Sequence, residues 1–446
     1  MGVEVMLLIG GIWANQILLA VGAVAAVFYG LLAIRFPELA CVLLWIVVPL
    51  SLERPVTGGI AAFLPSEPML VLLVSGWVIR SLWLGQAPRL PRDVALPLLA
   101  FAGVALASTL LGAHPGVGIK ALLITGMYAT LGLLVFPSLG CAAERRARWA
   151  ALAATTGAVA GAYGAIRVLG GEGNISYGVA RPFFAEHGTY AAYLGFLLPL
   201  TVLLALESRG RARFGYSVAA AAQVSGLALS FTRAAWLSIL VVLPPALLAW
   251  YLWRRSARPI GVLFVAIALV AGIVLSPRTW VGSQLGQRAA TITDSQNVSN
   301  LERVNRWVAG AEMIKAHPLL GVGYNGYIAE YRRYRRPLIW TPQIFAPMGS
   351  HSEPLQWLCE TGILGFGAAV WFFAAVVRRG LRTFRSARSD RVRVLALGVI
   401  GGLATYAVHG LFNAYQVDKV SVPLWLGVGA LVALSADRGV DPASDL

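Results

Sequence analysis

The chain has 446 residues, of which 58% are hydrophobic and only 13% are charged. A soluble protein carries about 25% charged residues, so this composition excludes a soluble globular domain and predicts a polytopic helical membrane protein. Long apolar runs also exclude an outer-membrane barrel, whose strands alternate polar and apolar residues. The formal net charge is +16, but most basic residues lie between apolar runs, where membrane topology explains them better than nucleic-acid binding.

Apolar runs that approach the length of a membrane span follow one another along the chain. They cover 15–34, 37–51, 68–84, 94–111, 119–138, 149–169, 188–206, 214–231, 233–252, 259–276, 357–377, 394–413 and 420–435. Some are short, so the sequence predicts an all-α fold with 12 or 13 transmembrane helices. The predicted division is an N-terminal helix bundle (1–276), a large polar loop (277–356) and C-terminal membrane helices (357–446). The N-terminus lacks the charged region and cleavage site of a signal peptide, and we expect it to belong to the mature protein.

Arginines in the short loops predict how the helices are oriented. Four clusters fall on one side of the membrane if every run spans it, and they lie at 145–148, 209–213, 254–258 and 378–393. Positive charge in short loops marks the cytoplasmic side. The C-terminus is then expected in the cytoplasm and the segments 52–67, 170–187 and 277–356 outside. The side of the N-terminus depends on whether 15–51 crosses once or twice.

The large loop is predicted to be structured rather than a linker. Ser299-Asn300-Leu301-Glu302 has the pattern of a capping box, and apolar residues recur after it at helical spacing. Pro318 is expected to end this helix, and a second, basic helix is expected around 331–336.

His351 lies where the loop meets the next membrane helix, in Gly349-Ser350-His351-Ser352-Glu353. If Ser350 caps that helix and Glu353 closes a capping box, His351 occupies the first turn. The positive end of the helix dipole disfavours a charged imidazole and attracts anions, which predicts a neutral base beside a phosphate. The alternative is an interfacial histidine that only caps or packs, and position alone favours that alternative.

Three arginines on the predicted outer side are candidates for binding an anion. Arg181 precedes one membrane helix, Arg233 lies at a tight turn between two apolar runs, and Arg303 lies on the loop helix. An arginine beside apolar segments is costly unless it is paired, and its guanidinium fits phosphate well. A phosphorylated lipid is therefore the predicted ligand. Snorkelling to lipid headgroups is the alternative; it explains the basic residues at 332–336 well but Arg233 poorly.

The sequence does not predict a metal site. It contains no Asp-x-Asp, His-Glu-x-x-His or Cys-x-x-Cys pattern, and the remaining histidines are scattered along the chain. No cofactor is expected.

Several of these residues form a pattern that resembles the O-antigen ligase and polymerase superfamily (WaaL and Wzy-type). The pattern comprises the segments 184–194 and 231–237, Arg303-x-x-x-Trp307, His317-Pro318-Leu319-Leu320-Gly321-Val322-Gly323, and His351-Ser352-x-x-Leu355-Gln356-x-x-x-Glu360-x-Gly362-Ile363-Leu364-Gly365. The resemblance implies a GT-C-like glycosyltransferase with about 12 membrane helices in the bacterial inner membrane. It implies a periplasmic active site that uses glycans carried on undecaprenyl pyrophosphate. It also implies that His351 is the general base and that Arg233, Arg303 and Arg181 bind the pyrophosphate.

The resemblance leads to one expected reaction and several alternatives. We expect an O-antigen ligase that moves a glycan from undecaprenyl pyrophosphate to a sugar hydroxyl of lipid A–core, with inversion and without a metal. A Wzy-type O-antigen polymerase or a protein O-oligosaccharyltransferase would use the same chemistry on another acceptor. A lipid or glycan transporter is disfavoured, because the sequence shows neither paired repeats nor charged residues at mid-membrane.

Overall fold

The computed structural model describes residues 20–56, 60–86, 90–140, 143–171, 178–256, 297–336, 340–341, 344–346, 348–415 and 418–436. Before the large loop, the described helices are α1 (Ala20–Arg35), α2 (Pro37–Val47), α3 (Ser66–Trp83), α4 (Arg92–Leu111), α5 (Pro115–Ser138), α6 (Ala143–Leu169), α7 (His187–Glu207), α8 (Gly210–Ala228) and α9 (Arg233–Arg254). The loop contains α10 (Val298–Ala316) and α11 (Tyr327–Tyr334), and α12 (Glu353–Ser386), α13 (Asp390–Gly410) and α14 (Asp418–Ala436) follow it.

Seven described helices are long and apolar enough to cross a membrane, namely α4, α5, α6, α7, α9, α12 and α13. Shorter apolar helices cover Ala20–Arg35, Pro37–Leu50 and Lys419–Ser435. This confirms a helical polytopic membrane protein. The helices α1 and α2 are separate, because the backbone of Phe36 leaves the helical region between them. The predicted run at 259–276 and the predicted boundary at 276 lie outside the described residues, so the count of 12 or 13 spans stays a prediction.

Helix α7 lies at the centre of the bundle, and 94% of the residues in its apolar 18-residue stretch are buried. It packs against α6, α8 and α13. Glycines let α13 approach it closely: a Cβ on Gly402 would lie 2.5 Å from the carbonyl oxygen of Phe196, and a Cβ on Gly398 would lie 2.7 Å from Leu200. Small residues at such contacts are how membrane helices gain packing energy without a hydrophobic driving force.

The segment 52–67, predicted only as a loop, contains a short antiparallel hairpin. Its strands are β1 (Leu52–Val56) and β2 (Ile60–Leu64), in the register Leu52↔Leu64. Lys419, at the start of α14, donates from Nζ to the carbonyl oxygen of Ser51 at 2.7 Å, which fixes the base of the hairpin to the bundle. The fold is therefore almost, but not entirely, helical.

Ion pairs join the arginine-bearing helix ends at one end of the bundle. Arg379 lies 2.6 Å from Asp93, at the start of α4, and Arg254 lies 2.9 Å from Asp390, at the start of α13. Described residues of the segments predicted to lie outside, such as Glu53 and Tyr324, meet at the opposite end, which we call the loop end because α10 and α11 lie there. The topology predicted from charge is thus internally consistent, and the compartment at each end stays a prediction.

Helix α12 is broken at Gly362, where the backbone has φ 64° and ψ −171°. The loop turn at 318–323 pairs with this break: Ile363 N–H donates to the carbonyl of Pro318 at 2.9 Å, and Val322 N–H donates to that of Cys359, also at 2.9 Å. A Cβ on Gly362 would lie 2.2 Å from the backbone of Leu319. Only glycine suits this positive φ and this close approach. The hydrogen bonds at the break attach the loop directly to the backbone of a membrane helix.

Candidate active site

His351 lies at the loop end, in a turn that precedes α12 rather than in its first turn. The helix begins at Glu353, with Ser352 as its N-cap, so the predicted capping box from Ser350 to Glu353 is wrong. The hydroxyl of Ser350 instead accepts from Ser352 N–H at 3.2 Å and donates to the Ser352 carbonyl at 2.7 Å. This compact turn holds His351 at φ 56°, a left-handed conformation that is uncommon for a residue with a side chain.

The charge around His351 comes mainly from the loop helix α10. Burial and, after it, the positive charges of Arg303 and Arg306 together lower the pKa of His351 from 6.5 to about 4. The carboxylate of Glu302 acts in the opposite direction but does not prevail. The imidazole is therefore neutral at pH 7, as predicted, but because of burial and arginine charges rather than the dipole of α12.

Arg306 was not predicted, and it organises the segment that leads to His351. Its guanidinium is fully buried, 2.8 Å from Glu302, and lies 4.1 Å from the centre of the Tyr331 ring. It donates to the carbonyl oxygens of Ala346 and Met348, each at 2.9 Å. The segment just before His351 is thereby fixed to α10. The spacing of Glu302 and Arg306, four residues apart on one helix, was the available sequence signal.

Arg233 and Arg303 meet at the first turn of α10. Arg233, the first residue of α9, donates to Asn300 Oδ1 at 3.1 Å, and Arg303 donates to Ser299 Oγ at 3.2 Å. The helix is capped by Asn297, whose side chain accepts from Ser299 N–H at 3.2 Å, so the predicted cap at Ser299 is wrong. The tight turn predicted before Arg233 is confirmed by the start of α9 at that residue.

Arg181 is not brought to this cluster by the contacts that the structure describes. It is exposed, and its Nε donates to the carbonyl of Ala185 at 3.4 Å. Its own carbonyl accepts from the Tyr163 hydroxyl at 2.7 Å. These contacts lie within its own turn and α6, so Arg181 is the weakest of the three predicted anion-binding residues.

The short connection between α13 and α14 supports the start of α12 on the other side. Glu353 N–H donates to the carbonyl of Asn413 at 3.1 Å, and Tyr415 N–H donates to Glu353 Oε1 at 2.7 Å. The Tyr415 hydroxyl lies 2.8 Å from Nε2 of the buried His409. His351 thus lies between two supports, α10 on one side and the 413–415 connection on the other.

Within the described residues, no group of three or more His, Cys, Asp and Glu side chains is arranged to hold a metal ion. Glu302 instead pairs with Arg306 and accepts from the Thr341 hydroxyl. Metal independence stays a prediction that needs an assay.

This site defines a class: a helical membrane protein whose loop end holds a neutral, partly buried histidine beside the arginines of a loop helix. Residues 218–370 match the family model of the O-antigen ligase (Wzy_C). The match runs from α8 through the break in α12 and includes Arg233, Arg303 and His351. Over these residues the chain is similar to that family, which confirms the predicted resemblance. No curated protein matches the chain.

Proposed function

We propose that this protein is an O-antigen ligase of the bacterial inner membrane, with its loop end in the periplasm. It would transfer a finished glycan from undecaprenyl pyrophosphate to a sugar hydroxyl of lipid A–core. The coarser assignment, an enzyme of the O-antigen ligase and polymerase type, rests on the family match. The observation that supports the proposed glycosyl-transfer chemistry is the arrangement of a neutral His351 beside Arg303, with Arg233 linked to the same helix turn.

The proposed reaction is a single displacement at the anomeric carbon of the donor. The acceptor hydroxyl attacks that carbon, the bond from carbon to the pyrophosphate oxygen breaks, and the hydroxyl proton passes to the imidazole of His351. Direct attack inverts the anomeric configuration. Arg233 and Arg303 offset the charge that develops on the departing undecaprenyl pyrophosphate, as positively charged groups do in other phosphate-releasing sites.

Donor binding and the basicity of His351 are linked in this proposal. The charge of Arg303, which is proposed to bind the diphosphate, also contributes to the lowered pKa of His351. A bound diphosphate carries negative charge and offsets that effect, so it raises the pKa of the imidazole towards the range in which a general base works best. The base is therefore strengthened when the donor is in place.

Two alternatives share this chemistry and differ in the acceptor. A Wzy-type polymerase would use a second lipid-linked glycan, and a protein O-oligosaccharyltransferase would use a secreted protein. The test incubates the purified protein in lipid nanodiscs with a labelled undecaprenyl-pyrophosphate-linked glycan and each acceptor in turn. Label in lipid A–core supports the ligase. Label only in longer lipid-linked glycan indicates a polymerase, and label only in protein indicates a protein O-oligosaccharyltransferase.

The lipopolysaccharide pattern of a strain that lacks this protein is a second test, independent of the purified assay. A strain lacking a ligase is expected to make lipid A–core without an O-antigen ladder and to accumulate glycan on undecaprenyl pyrophosphate. A strain lacking a polymerase would instead make core that bears one repeat. A lipopolysaccharide gel separates these patterns, and an unchanged ladder would contradict both assignments.

A further inference from the structure

A cavity of about 320 Å³ lies between α4, α5, α12 and α14. The hairpin and the loop turn at Tyr324 also contribute to its wall. Its volume lies in the range of sites that bind small molecules. Glu353, two residues after His351, is part of the lining, so the cavity reaches the start of the helix that follows the proposed base.

Aromatic side chains form much of this wall. Tyr324 packs edge-on against Phe101 at 6.1 Å, and its hydroxyl lies 3.0 Å from that of Thr125. Trp357 stacks on Phe373, with ring centres 5.8 Å apart and an angle of 11° between the planes. Rings held this firmly present fixed faces of negative potential, against which the C–H groups of a sugar ring can lie.

Glu353 has one carboxyl oxygen that receives no hydrogen bond from the described residues. Its side chain is only 4% exposed, and Oε1 accepts from Tyr415 N–H at 2.7 Å and from the Tyr406 hydroxyl at 3.1 Å. The other oxygen, Oε2, is buried and accepts no hydrogen bond within the described part of the chain. A buried carboxylate oxygen without a donor is costly, so a ligand hydroxyl that donates to it would be bound favourably.

The ionisable residues that line this cavity differ from those of the cluster formed by Arg233 and Arg303. Glu53, Glu67 and Glu353 line it together with a single cation, Lys120. Carboxyl oxygens accept hydrogen bonds from hydroxyl or amino groups, whereas guanidinium groups donate to anions. The chemistry that fits these walls is therefore a pyranose ring.

We infer that this cavity binds a sugar ring of a glycan substrate, with Glu353 Oε2 accepting from a ring hydroxyl and Trp357 lying against the ring face. The inference rests on the proposed function for the identity of the glycan. Either substrate could supply the ring: the core sugars of the acceptor or the first sugars of the lipid-linked donor.

The test measures binding rather than turnover, so it does not depend on the transfer reaction. His351→Ala protein in nanodiscs is titrated calorimetrically with lipid A–core, with undecaprenyl-pyrophosphate-linked glycan and with undecaprenyl pyrophosphate that carries no sugar. The same titrations are made with three double variants, in which Glu353→Gln, Trp357→Leu or Glu67→Gln is introduced into the His351→Ala protein. The third variant, at a half-exposed residue, keeps the test valid if the buried Glu353 is needed for folding.

Each control variant loses the same type of side chain at a position that does not line the cavity. Trp371 is on α12 but is 48% exposed and does not line the cavity, so Trp371→Leu controls for the loss of a tryptophan. Glu312, which pairs with Lys315 on α10, controls for the loss of a carboxylate through Glu312→Gln.

We expect Glu353→Gln to weaken one sugar-bearing ligand about tenfold or more, which corresponds to loss of a charge-assisted hydrogen bond. Trp357→Leu should weaken the same ligand by about fivefold, and the sugar-free lipid should bind as before. Weaker binding of lipid A–core alone assigns the ring to the acceptor; weaker binding of the lipid-linked glycan alone assigns it to the donor.

Three results would overturn the inference. The first is an equal loss for sugar-free undecaprenyl pyrophosphate, the second is sugar binding no weaker than in the control variants, and the third is no saturable binding of either glycan to His351→Ala protein. If sugar binding depends on the cavity while the wild-type protein transfers no glycan, the proposed function fails and the sugar site stands.

Discussion

The two sides of the His351 turn differ in charge although they adjoin the same short segment. On one side, α10 presents Arg303 and the buried Arg306, and their positive charge lowers the pKa of His351. On the other side, Glu353 faces a cavity lined by carboxylates and aromatic rings. The difference suggests a division of roles: phosphate recognition on the arginine side and hydroxyl recognition on the carboxylate side, with the base between them.

The largest expected effect is the loss of transfer in His351→Ala. The variant lacks the proposed acceptor of the hydroxyl proton, and general-base catalysis typically contributes about 10²–10⁴-fold. Transfer by the purified variant is the measurement. His317→Ala is the matched control, since His317 lies on the loop and bonds Tyr334 at 2.9 Å. Near-normal transfer by well-folded His351→Ala protein would make this histidine a packing residue.

Arg306→Ala should act on stability more than on the chemistry itself. It would leave the carboxylate of Glu302 buried without its partner and release the carbonyls of residues 346 and 348. Breaking a buried pair in this way costs about 3–5 kcal/mol. We expect a clearly lower Tm in detergent, with Arg303→Ala as the comparison. A Tm equal to that of the wild type would show that Arg306 does not fix the approach to His351.

Arg233→Ala and Arg303→Ala should each lower kcat/KM by about tenfold to a hundredfold, the range for a lost charge-assisted hydrogen bond. Lysine should restore little, because an ammonium does not reproduce the fork of a guanidinium. Arg336→Ala is the mild comparison, since that arginine is exposed and lies 3.3 Å from Glu312. Full rescue by lysine at both positions would reduce the arginine side to a general positive potential.

The pH profile of kcat/KM tests how His351 is tuned. The imidazole must be neutral to act as a base, so activity should be lost as pH falls through its pKa of about 4, rather than through 6.5. Arg303→Ala removes a positive charge and should move this acid limb to higher pH, whereas Arg303→Lys should leave it in place. An acid limb near pH 6.5 in the wild-type enzyme would contradict the burial and charge described around His351.

The smallest expected effect is that of a chelator. Transfer measured with excess EDTA should equal transfer without it, because arginines are proposed to take the charge that a metal would otherwise offset. Activity lost with EDTA and regained on adding magnesium or manganese would contradict this assignment of charge. The carboxylates on either side of His351, Glu302 and Glu353, would then be the first ligands to test.

The sequence predicted the helices well because long apolar runs have few alternatives in a membrane. It predicted their caps poorly. Ser350 and Glu302 have the types and spacings of local caps, but Ser350 bonds within its own turn and Glu302 pairs with Arg306. The local pattern cannot show that a tertiary partner competes for the same side chain.

The features of the candidate site also differ in whether the sequence could predict them. His351, Arg233 and Arg303 could be proposed as site residues because each belongs to a motif with a definite order along the chain. The hairpin and the cavity could not, since β1 and β2 have only five residues each and the cavity wall joins positions as distant as Glu53, Tyr324 and Trp425. Such a surface exists only after the helices have packed.

The break at Gly362 sets the limits for exchanging parts between relatives. Loop residues 318–323 bond to α12 on both sides of the break, and Ser108 on α4 donates to the carbonyl of Glu360 at 2.6 Å. A chimera that joins a foreign loop at residue 357 would separate these partners. A transplantable loop would have to carry the first turns of α12 through Gly362, together with the end of α4.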